Sequence, residues 1–341
     1  MSPDLGDSSA AHPGTGLTVS VVVPTRDRLA KISALLDRML ADEGGDQIEF
    51  VVVDDGSKDG TPEALARYSE SYPNVHHILR GSTAGSSRAR HDGVLSATGD
   101  LLVLLDDDVM PAPGLVAKHV AHQVGTQDLL VLGYMPTFVP DPLPRGGFAT
   151  LLYAQEYEKR CASYEEDPDT ILTALWLGNA SLPRQRYLDA FDSGKLPDFG
   201  HVRHEDRILG LVLRDLGTRA LFDRSILAQH VHNRPLRYFL SEAYDNGRGR
   251  ETIRQLYPEV LSTSSEDLYL KGLPGPVRSV FAATRHEPVR KVLVGALRGG
   301  IVGAGAVGSR RGEIQLARLV RKIEEWHGAR DVADGTAPAL H

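Results

Sequence analysis

The chain has few of the features that mark secreted, membrane-spanning or nucleic-acid-binding proteins. Its 341 residues contain one cysteine, Cys161, which excludes an internal disulfide framework and suits a reducing, cytoplasmic compartment. No stretch reaches the roughly 18–20 uncharged apolar residues of a membrane span. The nearest, residues 292–307, is interrupted by Arg298. A formal net charge of −7 argues against a nucleic-acid partner.

Two common phosphate-binding motifs are also missing. No G-x-G-x-x-G follows the first hydrophobic segment, and no G-x-x-x-x-G-K-[ST] occurs anywhere in the chain. Dinucleotide and P-loop sites therefore have no support in this sequence.

Composition and patterning predict the domain organisation. Residues 1–16 are rich in small and polar residues and lack a basic start and an apolar core. This composition is typical of a disordered lead-in rather than a signal peptide. A typical domain of ~150 residues predicts about two units. We expect one α/β domain over residues 17–250 and a mainly helical extension over 251–341.

Hydrophobic strands and helices alternate in the first half, which predicts an α/β fold. Strands are predicted at 18–23, 49–53, 76–79 and 101–105, and helices at 28–40 and 87–97. This alternation favours a mostly parallel, twisted sheet with helices on both faces. Further strands are predicted at 129–134, 172–177, 219–222 and 226–231, and further helices at 205–216 and 313–326.

The most informative segment is residues 101–108, in which five apolar residues precede Asp106, Asp107 and Asp108. The apolar run suits a buried parallel strand, and ligands bind at the carboxyl ends of such strands. Because three like charges repel one another, we expect a cationic group or ion to neutralise them. Oxygen ligands favour Mg²⁺ or Mn²⁺. The alternative is a solvated acidic turn.

Two more polar segments follow hydrophobic strands, at residues 24–27 (PTRD) and 54–57 (DDGS). All three strand ends should line one edge of the sheet. A carboxylate at the second strand end is suited to accept a hydrogen bond from a base or a ribose. For Asp55 the alternative is a helix cap or an Asx turn.

The order and spacing of four segments resemble glycosyltransferase family 2. These segments are 19–27 (VSVVVPTRD), 52–57 (VVDDGS), 89–93 (ARHDG) and 105–108 (LDDD). The resemblance implies the GT-A fold, a nucleotide-diphosphate-sugar donor (a UDP-sugar being commonest) and a divalent metal. It also divides the α/β domain into a nucleotide-sugar-binding half, 17–125, and an acceptor half, 126–250.

The resemblance assigns roles to individual residues. The acidic triplet is similar to the family's DxD motif, which implies Asp106 near the ribose or sugar and also as a metal ligand, with Asp108 as the main metal ligand. Asp55 resembles the carboxylate that reads the base. The other residues implied in binding the nucleotide sugar are Pro24, Thr25, Arg26, Asp27, Ser57, Arg90 and Asp107. The chain departs from the family at residues 26–27, where Tyr-Asn is frequent, and at His91, where Asn is usual.

Residues 204–209 (HEDRIL) resemble the family's Glu-Asp motif at the start of a helix, although His204 replaces the usual glycine. The resemblance implies that Asp206 is the catalytic base, with Glu205 beside it. The alternative is that both acids complement the helix dipole. Alternation on a predicted strand puts His230 and His232 on one face. In several GT-A enzymes a histidine after the last core strand completes the metal site, so the resemblance implies His230 as the third metal ligand. Either histidine could instead be a packing residue.

The expected activity is therefore metal-dependent, inverting transfer of one sugar to an acceptor hydroxyl, with the acceptor unknown. No Q-x-x-R-W segment is present, which argues against a processive synthase. One alternative is a nucleotidyltransferase acting on a sugar phosphate, which would need a glycine-rich basic loop after the first strand. The other is a non-catalytic module that binds sugar nucleotides.

Basic residues are concentrated in the C-terminal region. They are Arg285, Arg290, Lys291, Arg298, Arg310, Arg311, Arg318, Arg321 and Lys322. One interpretation is a helical appendage with a solvated basic rim. The other is peripheral, reversible attachment to an anionic membrane.

Overall fold

The structure is a computed structural model that describes residues 15–144, 147–196, 204–231 and 236–336. The chain divides into two compact units. Unit 1 comprises Met1–Phe138, Glu156–His201 and Glu205–His232, and unit 2 comprises Val139–Gln155, Val202–His204 and Asn233–His341. Most of the predicted lead-in, residues 1–14, lies outside the described residues.

Within the described ranges, eight strands form one sheet in unit 1. They are β1 (Val19–Thr25), β2 (Glu49–Asp54), β3 (Val75–Leu79), β4 (Leu101–Leu105), β5 (Val109–Pro111), β6 (Leu129–Tyr134), β7 (Asn179–Pro183) and β8 (Arg219–His230). Their spatial order is β3-β2-β1-β4-β7-β6-β8-β5. The first four are parallel, β7 is antiparallel to both of its neighbours, and β6 is parallel to β8. The predicted mostly parallel sheet is confirmed.

Helices flank the strands along the chain and make up the C-terminal region. They are α1 (Leu29–Leu40), α2 (Thr61–Ser71), α3 (Ser86–Ser96), α4 (Leu115–Gln123), α5 (Phe148–Glu166), α6 (Thr170–Thr173), α7 (Arg184–Asp192), α8 (Glu205–Asp215), α9 (Leu236–Leu256), α10 (Ser265–Leu270), α11 (Gly275–Ala283), α12 (Glu287–Ala306) and α13 (Arg310–Ala333). The helical C-terminal region is confirmed. No helix in the described part of the chain combines the length and apolarity needed to cross a bilayer.

The core of unit 1 explains why the central strands lack polar alternation. All seven residues of β1 and all five of β4 are buried, as a parallel strand covered on both faces requires. Helix α3 approaches this sheet closely at Gly93. A Cβ at Gly93 would lie 2.5 Å from Val22 Cγ1 and 3.0 Å from Val53 Cγ2. Arg90 lies three residues earlier, on the same face of α3, so this packing also positions Arg90.

Two predictions beyond residue 125 need correction. The strand predicted at 172–177 is wrong, because this segment contains the end of α6 and the irregular chain that leads to β7. Its apolar residues, such as Leu175 and Leu177, are buried without forming a strand. A short apolar run cannot distinguish these cases. The strands predicted at 219–222 and 226–231 form one strand, β8, whose pairing with β6 shifts register after Asp223.

Unit 2 has its own core, which includes Phe281, Ile323 and Trp326. Helices α9 and α13 touch through their backbones, because glycine occupies both sides of the crossing. A Cβ at Gly247 would lie 1.9 Å from the Glu325 carbonyl oxygen. A Cβ at Gly328 would lie equally close, 1.9 Å, to the Tyr244 carbonyl oxygen.

We expect Gly247→Ala to destabilise unit 2 by at least about 1–3 kcal/mol, because overpacking forces the two helices apart. Gly295→Ala in α12 is the matched control, since a Cβ there meets nothing within 4 Å. This control should stabilise the protein slightly, by up to about 1 kcal/mol, from the higher helix propensity of alanine. Differential scanning calorimetry of both variants measures the two shifts. Equal melting temperatures for the two variants would contradict the close crossing.

Candidate active site

The candidate site lies where β1 and β4 separate at their carboxyl ends. Val22↔Leu104 is the last pair between β1 and β4, whereas β1 continues beside β2 as far as Thr25↔Asp54. Pro24, which has no N–H to donate, lies in this continuation. Strands β2 and β3 lie on one side of β1, and β4 lies on its other side. Such a reversal of strand order is where open α/β sheets bind ligands.

Asp107 and Asp108 are buried and paired with cations at the start of the first helix, α1. The Arg28 guanidinium, immediately before α1, contacts the Asp107 carboxylate, and its Nη1 lies 2.9 Å from Asp108 Oδ2. Lys31 Nζ is 3.9 Å from the same Asp108 oxygen. Thr25 Oγ1 donates a hydrogen bond to Asp107 Oδ2 at 2.8 Å. The protein itself therefore supplies positive charge to the triplet, through Arg28 and Lys31.

Burial also affects the protonation of Asp107. Loss of hydration raises the pKa of Asp107 to about 6, and the neighbouring Asp108 and Asp106 carboxylates act in the same direction. Arg28 and Thr25 oppose this rise but do not cancel it. Asp107 is therefore a costly buried group whose partners hold it in place.

Strand β8 brings His230 to Asp108. His230 Nε2 lies 3.1 Å from Asp108 Oδ1, and the Val231 N–H donates to the Asp108 carbonyl oxygen at 2.8 Å. Neighbouring ligands of an octahedral ion with bonds of ~2.1 Å are about 3 Å apart, so this pair fits a divalent ion. Within the described ranges, no group of three or more His, Cys, Asp or Glu side chains is placed to hold a metal. His232 lies outside the described residues.

Arg90 connects the first acid of the triplet to the predicted base. Arg90 Nη2 donates to Asp106 Oδ1 at 2.8 Å, and Arg90 Nη1 lies 3.7 Å from Asp206 Oδ1. The Arg90 side chain is 7 % exposed. Burial by itself would lower the pKa of Arg90, but the two carboxylates raise it above its ordinary value. Arg90 therefore remains charged between them.

Asp206 lies in the first turn of α8, with one oxygen bound and the other facing Arg90. Its Oδ2 accepts a hydrogen bond from the Leu177 N–H at 3.0 Å. Burial raises the pKa of Asp206, and Arg90 and the Leu177 N–H only partly offset this effect. The side chain nevertheless keeps 35 % of its surface accessible. An enclosed but reachable carboxylate with a raised pKa is suited to accept a proton.

Gly178, just before β7, leaves room for Asp106. A Cβ at Gly178 would lie 2.4 Å from Asp106 Oδ2. The Asp106 N–H also donates to the Gly178 carbonyl oxygen at 3.0 Å. A larger residue at position 178 would displace the Asp106 side chain from Arg90.

A pocket lies beside Arg90 and Asp206, with about 360 Å³ of empty space when the open solvent at its mouth is included. It is lined by Ser87, Arg90, Leu177, Tyr187, Leu196, Glu205, Asp206 and Leu209. Mostly apolar walls with a few converging charged groups are typical of sites for small molecules. Glu205 and Asp206 thus line a pocket, which a role confined to the helix dipole would not require.

Asp55 is engaged by the loop that precedes α3. Its Oδ1 accepts from the Ala84 N–H at 2.9 Å and lies 3.2 Å from Arg80 Nε. Its Oδ2 accepts from the Gly85 N–H at 2.9 Å and from Thr83 Oγ1 at 2.7 Å. Asp55 is therefore neither a helix cap nor an Asx turn. Its carboxylate holds the loop over residues 80–85.

The first two strand ends are tied together by hydrogen bonds. The Asp27 N–H donates to Ser57 Oγ at 2.8 Å, and Asp27 has a φ of +50°, a left-handed conformation that aspartate tolerates. Asp54 makes the Asx-type turn here, accepting from the Ser57 N–H at 3.1 Å. Arg26 is half exposed and donates to Thr83 Oγ1 at 2.8 Å. Arg26, Asp27, Asp54 and Ser57 thus form a rim at the carboxyl ends of β1 and β2.

The structure thus brings the predicted residues together in three groups of unit 1. One group surrounds Arg90 and consists of Asp106, Glu205 and Asp206. In the second, Arg28 pairs with Asp107 and Asp108, which in turn contact Thr25 and His230 respectively. The third lies at the carboxyl ends of β1 and β2, where Pro24 and Asp55 lie beside the rim residues Arg26, Asp27 and Ser57. The prediction missed Arg28 and Lys31, although their spacing on one face of the first helix was a usable signal.

His91, where the family usually has asparagine, is a packing residue. Its ring stacks on Phe191 with centroids 3.9 Å apart. Burial, with a further contribution from the Arg88 charge, lowers the pKa of His91 to about 4. His91 is therefore neutral at physiological pH and supports the helix that carries Arg90.

Comparison with known proteins gives the family and a set of partial relatives. Residues 20–147 match the sequence model of glycosyl transferase family 2. Glycosyltransferase AglE of Haloferax volcanii is 31 % identical over 136 residues, which are 40 % of this chain and 43 % of AglE. Dolichol-phosphate mannosyltransferase of Pyrococcus furiosus is 35 % identical over 104 residues, which are 30 % of this chain and 29 % of that protein. The chain spans less than half the length of these curated relatives.

Solved structures resemble the chain over most of its length. The mannosyltransferase PcManGT of Pyrobaculum calidifontis, in complex with GDP-Man and Mn²⁺, has a TM-score of 0.59 and covers 96 % of this chain and 90 % of its own, at 18 % identity. S. aureus TarS 1–349 with UDP-GlcNAc has a TM-score of 0.50 at 15 % identity, over 93 % of this chain and 92 % of its own. At these identities the likeness shows the fold alone. Together with the strand-end motifs and the sheet that positions them, the match identifies residues 20–147 as a glycosyltransferase family 2 domain, and the structural likeness shows a GT-A fold.

Proposed function

We propose that this chain transfers a single sugar from a nucleotide-diphosphate sugar to an acceptor hydroxyl, with inversion and with a divalent cation at Asp108. One observation carries this proposal: Arg90 lies between Asp106 and Asp206 at the edge of the pocket. A donor-side acid and a base are thereby held on two sides of one buried cation. The named complexes of the structural neighbours with GDP-Man and UDP-GlcNAc support a sugar nucleotide as donor.

The nucleotide would lie along the rim. Arg26 is exposed there and reaches Thr83, so both are available to a ribose or a base. Asp55 already accepts three hydrogen bonds from this loop, so at most one of the roughly four acceptor sites of its carboxylate is left for a base. We therefore assign Asp55 the role of shaping the base site through the loop over residues 80–85.

The diphosphate and the cation would lie at the second group. Asp108 divides its oxygens, with Oδ2 facing Arg28 and Oδ1 facing His230, so Oδ1 and His230 Nε2 would hold Mn²⁺ or Mg²⁺. When bound, the ion would stabilise the negative charge of the departing nucleoside diphosphate. Arg28 is 37 % exposed and adds a fixed positive charge on the same side. Asp107 orients Arg28.

Asp206 would act as the base in the pocket. Its Oδ1 would take the proton of the acceptor hydroxyl, while the Leu177 N–H holds its other oxygen. The acceptor oxygen would then form a bond to the anomeric carbon as the bond to the diphosphate breaks. Attack on the face opposite the leaving group inverts the configuration. Arg90 would keep Asp206 ionised until the proton moves.

The alternatives gain no support from the site. Nucleotidyl transfer would need a glycine-rich basic loop after the first strand, and residues 24–28 contain no glycine. A non-catalytic module would not need an enclosed carboxylate beside a donor-side acid. Transfer of one sugar at a time rests on the missing Q-x-x-R-W segment. Release of nucleoside diphosphate from a panel of sugar nucleotides, with and without acceptors, tests the proposal. Turnover of no donor in that panel would count against it.

We expect removal of the cation with EDTA to abolish transfer, and Mn²⁺ or Mg²⁺ to restore it. Asp108→Asn and His230→Gln should each lower activity and Mn²⁺ affinity by at least about 10–100-fold, because each removes a ligand. His122→Gln is the matched control, since His122 pairs with Asp223 at 2.8 Å and belongs to none of the three groups. Calorimetric titration with Mn²⁺ in the presence of nucleoside diphosphate gives the affinities. Full activity of the metal-stripped enzyme would exclude this role.

We expect Asp206→Asn to lower kcat by about 10²–10⁴-fold with little change in donor affinity. The amide oxygen can still accept the Leu177 N–H, so the local structure should persist while the base is lost. Asp215→Asn, at the other end of α8, is the control and should leave kcat unchanged. Steady-state kinetics and donor titration separate the two effects. Near-normal turnover of Asp206→Asn would show that Asp206 only complements the helix dipole.

The pH profile offers a separate check on Arg90. Burial raises the pKa of Asp206, so the acid limb of kcat/KM should lie above the usual aspartate range. Arg90→Gln removes the cation that stabilises the ionised carboxylate, which raises the pKa of Asp206 further. We expect the acid limb of the residual activity to move to higher pH. An unmoved or lower limb would show that Arg90 does not act on the base.

A further inference from the structure

Helix α12 carries apolar side chains on its outward face as well as on its inward face. Val294 and Ile301 lie in the core of unit 2, with 6 % and 1 % exposure. On the other side, Val292 and Val302 are 73 % and 71 % exposed, and Val307, just after the helix, is 81 % exposed. In the part of the chain that the structure describes, these three are the most exposed large apolar side chains.

The outward face is continuous along the helix. At about 100° per residue, the positions between Val292 and Val302 that share their side are small residues. They are Gly295, Ala296 and Gly299, with Gly303 and Ala306 following, and all five are exposed. The strip runs from Val292 to Ala306 at the end of the helix, so it is about 20 Å long. The solvent side of a surface helix is normally polar, so an exposed apolar strip indicates a contact surface.

Positive charge borders this strip. Lys291 and Arg298 flank it on α12, and Arg310 and Arg311 begin the next helix. Glu287 is the only acid of α12 and pairs with Lys291 at 2.7 Å. Within the described ranges, the other three cations take part in no ion pair. An apolar strip with a basic border is complementary to an anionic, amphipathic surface.

Not every basic residue of the C-terminal region contributes to this border. Arg285 lies over the Trp326 ring, and Arg290 over the Tyr244 ring, within unit 2. Arg321 pairs with Glu325. Lys291 and Arg298 are the exposed cations that α12 itself presents beside its outward face.

We propose that the outward face of α12 docks on an anionic lipid surface. Val292 and Val302 enter the boundary between headgroups and acyl chains, and Lys291 and Arg298 meet lipid phosphates. The inward face of the helix is packed in the core of unit 2, so the helix would lie along the lipid surface rather than insert across it. A second copy of this chain is a poorer occupant, because symmetric pairing would bring two basic borders together. The proposal goes beyond sugar transfer, since it concerns where the chain works.

Sedimentation of the full-length protein with vesicles tests this surface. We expect binding to phosphatidylcholine vesicles that contain phosphatidylglycerol, and little binding to phosphatidylcholine alone. Binding should weaken as salt rises, because the Debye length falls from ~30 Å at 0.01 M to ~8 Å at 0.15 M. No sugar nucleotide is present in this assay, so its result is independent of whether transfer is found.

Two double variants separate the apolar and charged contributions. Replacing both valines, Val292→Glu with Val302→Glu, should abolish binding to the mixed vesicles. Replacing both cations, Lys291→Gln with Arg298→Gln, should lower the partition coefficient by about 30-fold, at ~1 kcal/mol per charge. The control is Leu256→Glu, a substitution at an apolar residue of unit 2 that is 53 % exposed and outside α12. It should bind as the wild type does.

Three results would overturn the proposal. The first is failure of the wild type to bind the mixed vesicles at low salt, and the second is unchanged binding by both double variants. The third is a dimer, seen by light scattering without lipid, that is lost in the double valine variant. This last result would assign the face to a second copy of the chain. Unchanged melting temperatures of the variants, expected for such exposed positions, show that lost binding is not lost folding.

Discussion

A guanidinium held between two carboxylates is the interaction on which the candidate active site depends. Arg90 reaches this position because Gly93 lets helix α3 pack directly on the sheet. A buried cation is costly unless it is paired with good geometry. Asp106, from the end of β4, and Asp206, from the start of α8, provide that pairing. Arg90 in turn allows two acids to remain close together in a partly desolvated pocket.

A second cation organises the other half of the site in the same way. Arg28 lies between Asp107 and Asp108, and Thr25 binds the far oxygen of Asp107. Parallel strands concentrate polar groups at one edge, and this concentration creates a repulsion that the neighbouring helices must balance. Here three cations balance it: Arg28 immediately before α1, Lys31 in α1 and Arg90 in α3. One oxygen of Asp108 faces His230, and this pair is where we propose that the cation binds.

The sequence predicted the elements whose pattern is local. Residues 101–105 and 129–134 form strands with the predicted bounds, because continuous burial gives strands of their length an unbroken apolar run. The strand prediction for residues 172–177 was wrong because burial also gave this irregular segment an apolar run, which includes Leu175 and Leu177. The position of acids at strand ends was also predictable, because it follows from strand direction alone.

What the sequence could not predict depends on contacts between distant residues. Arg28 pairs with acids about 80 positions later in the chain, and Asp55 binds a loop about 30 positions away. Local spacing does not contain that information. For the same reason, the outward face of α12 became recognisable only when Val294 and Ile301 were found in the core, which identified the opposite side as exposed.

The most direct test of this account is a crystal structure of the protein with Mn²⁺ and an intact sugar nucleotide. The account predicts anomalous density for manganese coordinated by Asp108 and by a diphosphate oxygen. It also predicts that the anomeric carbon lies in the pocket beside Arg90, with Asp206 on the face opposite the diphosphate. A sugar nucleotide bound at another edge of the sheet, or a sugar with Asp206 on the same face as the diphosphate, would contradict it.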